Sequence, residues 1–262
     1  MLAKLFKAIT TWPADFNIHP TIKRIYEDRV KAFNNEEPLD WATMEKLAWA
    51  TLLEEGYDVR ISGEDVERGT FSHRHALISD QKRDVEKHVF LKAISNSVRI
   101  TNSHLSEYGV LGFEYGYTIT NPNCLVIWEA QFGDFANGAA ITIDNFIVSG
   151  ETKWKEQSGI VLSLPHGMDG QGPEHSQGRI ERFLQLSDDT CDEEQKMTLD
   201  EQLKKGNIQV VYCSTTSNYF HALRRQMHRN YRKPLIAFNS KKLLKFKGVI
   251  VQLCRQTHQS LR

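Results

Sequence analysis

Apolar residues fall into two patterns that take turns along the chain. Short continuous runs at 57–61, 124–128 (Cys-Leu-Val-Ile-Trp), 159–164, 208–212 and 235–238 predict buried strands. Helical patterns lie between them. Residues 20–33 predict a charged helix after turns at Trp12-Pro13 and His19-Pro20, and this opening reads as a connector rather than core. Asp40 is a good N-cap for a second helix, in which Met44, Leu47, Ala48 and Leu52 make one apolar stripe and Gly56 ends it. Further helices are predicted over 105–116, 135–150, with Ile141, Phe146 and Ile147 on one side, and 217–229. Residues 79–101 show no clean period and read as irregular. Strands alternating with helices predict an α/β fold, a mostly parallel sheet with helices on both faces. No internal repeat or low-complexity segment interrupts it.

The chain is organised around Leu105-Ser-Glu-Tyr-Gly-Val-Leu-Gly-Phe-Glu-Tyr-Gly116. Gly109, Gly112 and Gly116 share one helix face, and each costs about 1 kcal/mol against Ala in a helix interior, so a close approach by another backbone is expected there. Ser106 and Glu107 open the helix. In one reading they only cap it and favour its positive end; in the other, Glu107 is a catalytic carboxylate beside a close helix contact. Three polar loops follow three of the strands and carry Glu64, Gln131 with Phe135, and His175. In open α/β sheets ligands collect beyond the carboxyl ends of strands, so a parallel sheet would gather these groups on one rim.

The 262 residues suffice for one large or two small domains, and 25% charged with 40% apolar residues is ordinary globular composition. Formal net charge is zero, which removes any global electrostatic case for nucleic acid. Acids dominate 188–201, while the chain from His221 onward has many Lys and Arg and no acid; both read first as solvated segments. Cys124, Cys191, Cys213 and Cys254 have no zinc-site spacing, and a reducing compartment is the default. No apolar run is long enough to span a membrane. His73-Arg-His75 and His166 to His175 do not have metal-ligand spacing, no Gly-x-Ser-x-Gly elbow occurs, and the Gly-rich stretch 167–172 lacks a P-loop lysine. No metal site is expected within this chain.

Long motifs then stand out: Arg60-Ile-Ser-Gly-Glu-Asp-Val-Glu-Arg-Gly-Thr-Phe-Ser-His-Arg-His75, the 105–116 stretch, Trp128-Glu-Ala-Gln-Phe-Gly-Asp-Phe135, Pro165-His-Gly through Gly170-Gln-Gly-Pro-Glu-His-Ser176, and Tyr219-Phe-His-Ala-Leu-Arg-Arg-Gln226. Together, in this order, they resemble the thiamine-diphosphate-dependent component of 2-oxoglutarate dehydrogenases over about residues 10–245. The resemblance is to the transketolase-type pyrimidine-binding domain of that family, whose members are several times longer. It implies a connector over 1–37, the domain over 38–245 and a divergent tail over 246–262.

The resemblance also implies a chemistry. Glu107 matches the glutamate that hydrogen-bonds a ring nitrogen of the aminopyrimidine and favours its imino tautomer. Phe135 matches the aromatic that stacks on that ring, Leu105 and Gln131 match contacts to the same ring, and Glu64 matches a strand-end acid near the subunit interface. His175 matches a loop histidine close to the substrate. The implied reaction is oxidative decarboxylation of 2-oxoglutarate with succinyl transfer to a lipoyl carrier in the tricarboxylic acid cycle; 2-oxoadipate is the alternative substrate, and a truncated, non-catalytic binding module the alternative role. The Gly-Asp-Gly…Asn motif that binds the diphosphate through Mg²⁺ is not found here. The chain is therefore expected to be incomplete and inactive alone, to bind the aminopyrimidine half of the cofactor, and to take Mg²⁺ from a partner domain. Expected partners are a second copy or the full-length enzyme, and the succinyltransferase of the complex. The expected location is the mitochondrial matrix, or the cytoplasm if the chain is bacterial.

Overall fold

The computed structural model describes residues 1–83, 86–168, 175–188 and 198–245. The tail 246–262, the acidic run around Cys191 and most of the Gly-rich loop before His175 lie outside these residues. The chain enters through α1 (Leu2–Ala8), α2 (Pro20–Asn34) and α3 (Trp41–Glu54), followed by β1 (Asp58–Gly63). An antiparallel pair, β2 (Leu77–Ser79) and β3 (Lys87–Val89), precedes β4 (Val98–Asn102), α4 (Glu107–Thr120) and β5 (Cys124–Glu129). A broken helical run comes next: a 3₁₀ stretch Gly133–Ala139, α5 (Ala140–Thr142), a π stretch Ile143–Ile147 and α6 (Gly150–Trp154). Then come β6 (Val161–His166), α7 (Ile180–Gln185), α8 (Leu199–Lys205), β7 (Gln209–Tyr212), α9 (Thr216–His228), β8 (Leu235–Ser240) and α10 (Lys241–Lys245).

Six strands pair in parallel in the order β4-β1-β5-β6-β8-β7. Strand alternation sorts their side chains into two layers. Val59, Ile61, Leu125, Ile127, Val161, Leu235 and Ala237 pack with α1, α3 and α9. Trp128, Leu162, Leu164, Ile236 and Phe238 pack with α4, the broken run and α7. Both faces are covered, which is why the central strands read as continuous apolar runs.

α3 departs from the expected single stripe. It is buried from Trp41 through Leu53, between the sheet and the helices around it. Asp40 caps it as expected, accepting from the Thr43 N–H at 2.7 Å, and also takes Arg29 Nε at 2.8 Å. Two further expectations need correcting. The first 37 residues, read as a connector rather than core, do contribute to the core: Leu5 and Ile9 are in its main cluster, and Tyr26 stacks on Phe90 with ring centroids 4.6 Å apart. Their polar neighbours hid this. The buried Tyr26 hydroxyl and Arg29 Nη2 donate to the His75 and His73 carbonyls at 2.6 and 2.7 Å. Residues 79–101 are not irregular throughout, because β4 lies at the sheet edge. Only Val98 is buried in it, and Arg99 and Thr101 are exposed, so its apolar signal is weak.

Candidate functional site

The carboxyl ends of β1, β5 and β6 form one rim. Gly63 faces Glu129 across β1 and β5, and a Cβ on Gly63 would overlap the Glu129 carbonyl, so only glycine allows this approach. Beneath the rim lies Arg74, 1% exposed. Its Nε donates to Glu45 on α3 at 2.7 Å, its Nη1 donates to Glu129 at the end of β5 at 2.8 Å and to the Val66 carbonyl at 3.1 Å, and its Nη2 also donates to Glu129. Tyr219 on α9 donates to Glu45 at 3.3 Å. Burial pulls the Arg74 pKa down, but the two carboxylates outweigh it and hold the guanidinium well above its ordinary value. Burial pushes the Glu45 carboxyl up, and Arg74 offsets only part of that. This one cation ties the loop after β1 to the sheet and to α3.

That loop, residues 64–76, then reaches the rim. Its turn holds Ser72 and His75 at left-handed φ of 54° and 46°. Thr70 Oγ1 donates to the side-chain oxygen of Gln131 at 3.0 Å, and Phe71 meets Phe132 edge-on with centroids 5.9 Å apart. His73 is buried with no hydrogen-bond partner at either ring nitrogen; burial, then Arg74 and Arg29, push its pKa well below the ordinary histidine value.

Residues 131–135 carry the densest part of the rim. Gly133 lies where a Cβ would sit 2.5 Å from the Pro165 carbonyl and 3.0 Å from the Gly178 Cα, so the chain presses against the end of β6. This approach brings Phe132 flat against His175, with centroids 4.5 Å apart and planes 19° from parallel. Phe135 meets the same imidazole edge-on at 5.6 Å. Asp134 Oδ2 is 3.5 Å from His175 Nδ1. Lys241, at the start of α10, donates to the His175 carbonyl and lies 5.7 Å from the Phe132 centroid.

Glu107 is the first residue of α4. Ser106 stands at the cap position, but its side chain makes no capping hydrogen bond. The Glu107 carboxylate lies over Gly138, where an added Cβ would be 3.0 Å from Oε2. Gly138 is three residues past Phe135 on the same turn. Thr142 Oγ1 donates to the Tyr108 carbonyl at 3.2 Å and fixes α4 against this run. One side of α4 is buried through Val110, Leu111, Glu114 and Tyr115, with Glu114 accepting twice from Arg60 at 2.6 and 2.7 Å. The glycine side is open among the described residues: Gly116 has no atom within 4 Å of an added Cβ, and Gly112 meets only Thr142 at 3.8 Å. The expected backbone contact is thus not made among the described residues. Leu105, Tyr108 and Phe113 share that side, 65%, 58% and 58% exposed.

The structure therefore unites Gln131, Phe135 and His175 on one rim and sets Glu107 against the turn that carries Phe135. Glu64 is exposed at the end of β1, and Leu105 is exposed just before α4. Phe132, Asp134, Thr70, Arg74 and Lys241 were not singled out from sequence. Phe132 and Asp134 stand inside the 128–135 motif and could have been found there; nothing in the sequence links Lys241 to His175, 66 residues away.

A family profile described as "transketolase, pyrimidine binding domain" matches residues 37–247. The chain belongs to this family. Relatives of the pyrimidine-binding domain include the mitochondrial 2-oxoglutarate dehydrogenase of Saccharomyces cerevisiae, 54% identical over 250 residues, which are 93% of this chain and 24% of that protein. The mitochondrial 2-oxoglutarate dehydrogenase of Dictyostelium discoideum is 49% identical over 256 residues, 94% of this chain and 25% of that protein. The 2-oxoglutarate dehydrogenase E1 component of Brucella ovis is 47% identical over 262 residues, 99% of this chain and 24% of that protein. The chain thus spans about a quarter of the length of the curated relatives it matches. Among the described residues of the pyrimidine-binding domain there is no cluster of three His, Cys, Asp or Glu side chains able to hold a metal ion, and no helix long and apolar enough to cross a membrane.

Proposed function

We propose that this chain is the pyrimidine-binding part of a 2-oxoglutarate dehydrogenase, which decarboxylates 2-oxoglutarate oxidatively and passes the succinyl group to the lipoyl carrier of a succinyltransferase in the tricarboxylic acid cycle. The observation that carries the reading is the Glu107 carboxylate over side-chain-free Gly138, on the turn that also bears Phe135. A carboxylate, an aromatic face and the Gln131 amide are a donor set that fits an aminopyrimidine. When bound, thiamine diphosphate supplies an electron sink for the carbon left by decarboxylation. Glu107 would share a proton with a ring nitrogen, Phe135 would stack on the ring, and Gln131, held by Thr70, would present its amide to the same ring. Leu105 walls the ring from the open side, and Glu64 stands at the rim near the subunit contact. His175 would face the 2-oxo acid, where it would hydrogen-bond the substrate or move a proton during decarboxylation.

The diphosphate and its Mg²⁺ are held by a partner domain. The open glycine face of α4, flanked by exposed Leu105, Tyr108 and Phe113, suits a second copy or the full-length enzyme, brought close enough to exclude water from Glu107. By the same reading the protein works in the mitochondrial matrix, or in the cytoplasm if it is bacterial. A chimera tests this: residues 37–247 of this chain replace the matching segment of the yeast dehydrogenase. Turnover of 2-oxoglutarate by the chimera, lost in Glu107→Gln, is expected. A folded chimera whose Glu107→Gln variant keeps full turnover refutes the assignment.

A further inference from the structure

His175 and Asp134 each bury a polar atom that has no hydrogen-bond partner, the imidazole Nδ1 and the carboxylate Oδ1. The second carboxylate oxygen, Oδ2, is 3.5 Å from that same Nδ1. No hydrogen bond joins the two groups at this distance, which is a few tenths of an ångström beyond the usual range. Leaving both groups unmade costs about 1–3 kcal/mol each, so closing this gap is favoured. Phe132 covers one face of the ring at 4.5 Å and Phe135 meets it edge-on at 5.6 Å. Lys241 donates to the His175 carbonyl and fixes the backbone beneath the ring, while its charge lies 5.7 Å from the Phe132 centroid. Asp134 and Lys241 are the charged groups that meet the His175 environment among the described residues.

The geometry points to Asp134 as the positioning residue that holds a proton on His175 Nδ1 and so leaves the Nε2 lone pair to face the substrate. Phe132 and Lys241 keep the ring and its backbone in that orientation. A histidine locked in this form accepts a proton or a hydrogen bond through Nε2 and does not donate one. A 2-oxo acid, whose keto and carboxylate oxygens only accept, then hydrogen-bonds Nε2 only when the ring carries a second proton. The inference rests on the reading of His175 as the residue facing the 2-oxo acid, but its test does not need the cofactor.

Nitrogen-15 imidazole spectra of the full 262-residue chain report which ring nitrogen carries the proton. They are recorded at about pH 8.5, where an ordinary imidazole is neutral. The His175 signals are assigned by their loss in His175→Gln. The expected result is an Nδ1–H ring in the parent chain and in Asp134→Asn, whose amide oxygen still accepts. In Asp134→Leu the proton moves mainly to Nε2. An Nε2–H ring in the parent chain, or an Nδ1–H ring unchanged in a folded Asp134→Leu variant, overturns the inference. If Asp134→Leu does not fold, the parent tautomer decides. A chimera that fails to turn over while the tautomer behaves as expected would refute the cofactor reading and leave the Asp134–His175 pairing standing.

Discussion

Replacing Arg74 with Met is the most informative perturbation of the scaffold. Arg74 is 1% exposed and sits between Glu45 and Glu129, which are 1% and 6% exposed. Met fills much of the volume but removes every donor, leaving two carboxylates buried with no cation between them. Breaking a buried ion pair from one side costs about 3–5 kcal/mol, out of a total domain stability of about 5–15 kcal/mol. With an m-value of about 3 kcal/mol/M, the urea midpoint should fall by roughly 1–1.7 M. Trp49, whose ring lies 5.8 Å from the Arg74 guanidinium, and the buried Trp41 and Trp128 give a fluorescence readout. The pH dependence supplies a second check. Burial already pushes Glu45 up from its ordinary 4.5, and Arg74 is the main offset. Without it, the folded variant retains a proton that the unfolded chain releases. The variant therefore loses stability as pH rises above about 4.5. The difference from the parent chain is largest near neutrality and shrinks on acidification. A loss below about 1 kcal/mol, or one that does not change with pH, would refute this view of Arg74.

Three other perturbations follow from the same structure. Burial pushes Lys46 well below its ordinary 10.5, so its contribution is complete above that value and lost as pH falls; Lys46→Met should flatten the rise in stability between about pH 7 and 9.5, read by urea titration at each pH. Burial and then Arg29 take His75 down to about 4, so its contribution is lost as pH falls from 6.5 toward that value; His75→Asn, which tolerates the left-handed backbone, should reduce the acid-side loss. Gly133→Ala should cost about 1–3 kcal/mol and part Phe132 from His175, seen as loss of the ring-current shift on the His175 protons.

The central sheet was readable because its strands are buried on both sides. Cys124 to Trp128 and Leu235 to Phe238 gave unbroken apolar runs, and the helices between them forced parallel pairing. β4 was not readable, because an edge strand keeps polar residues and β4 buries only Val98. The packed N-terminal segment was missed for a similar reason: Tyr26 and Arg29 look like surface residues until their carbonyl partners, His75 and His73, are known. At the site, the loops that follow buried strands pointed to Gln131, Phe135 and His175. The catalytic reading of Glu107 rests on the family motif, since a glutamate in a first helical turn is equally a dipole partner. Asp134, Phe132 and Lys241 acquire meaning only through contacts that cross the sheet, and no periodicity encodes those. The glycine face of α4 was legible as a packing surface, but its partner is not among the described residues.

The measurement closest to the proposed function is calorimetric titration of thiamine diphosphate with Mg²⁺, first into this chain alone and then into the chain mixed with the diphosphate-holding region of a full-length dehydrogenase. Tight binding is expected only in the mixture, and Glu107→Ala should abolish it while leaving the chain's fluorescence-monitored unfolding unchanged. Tight Mg²⁺-dependent binding by the chain alone, or binding in the mixture that is indifferent to Glu107→Ala, would contradict the reading of this domain as the aminopyrimidine half of a shared site.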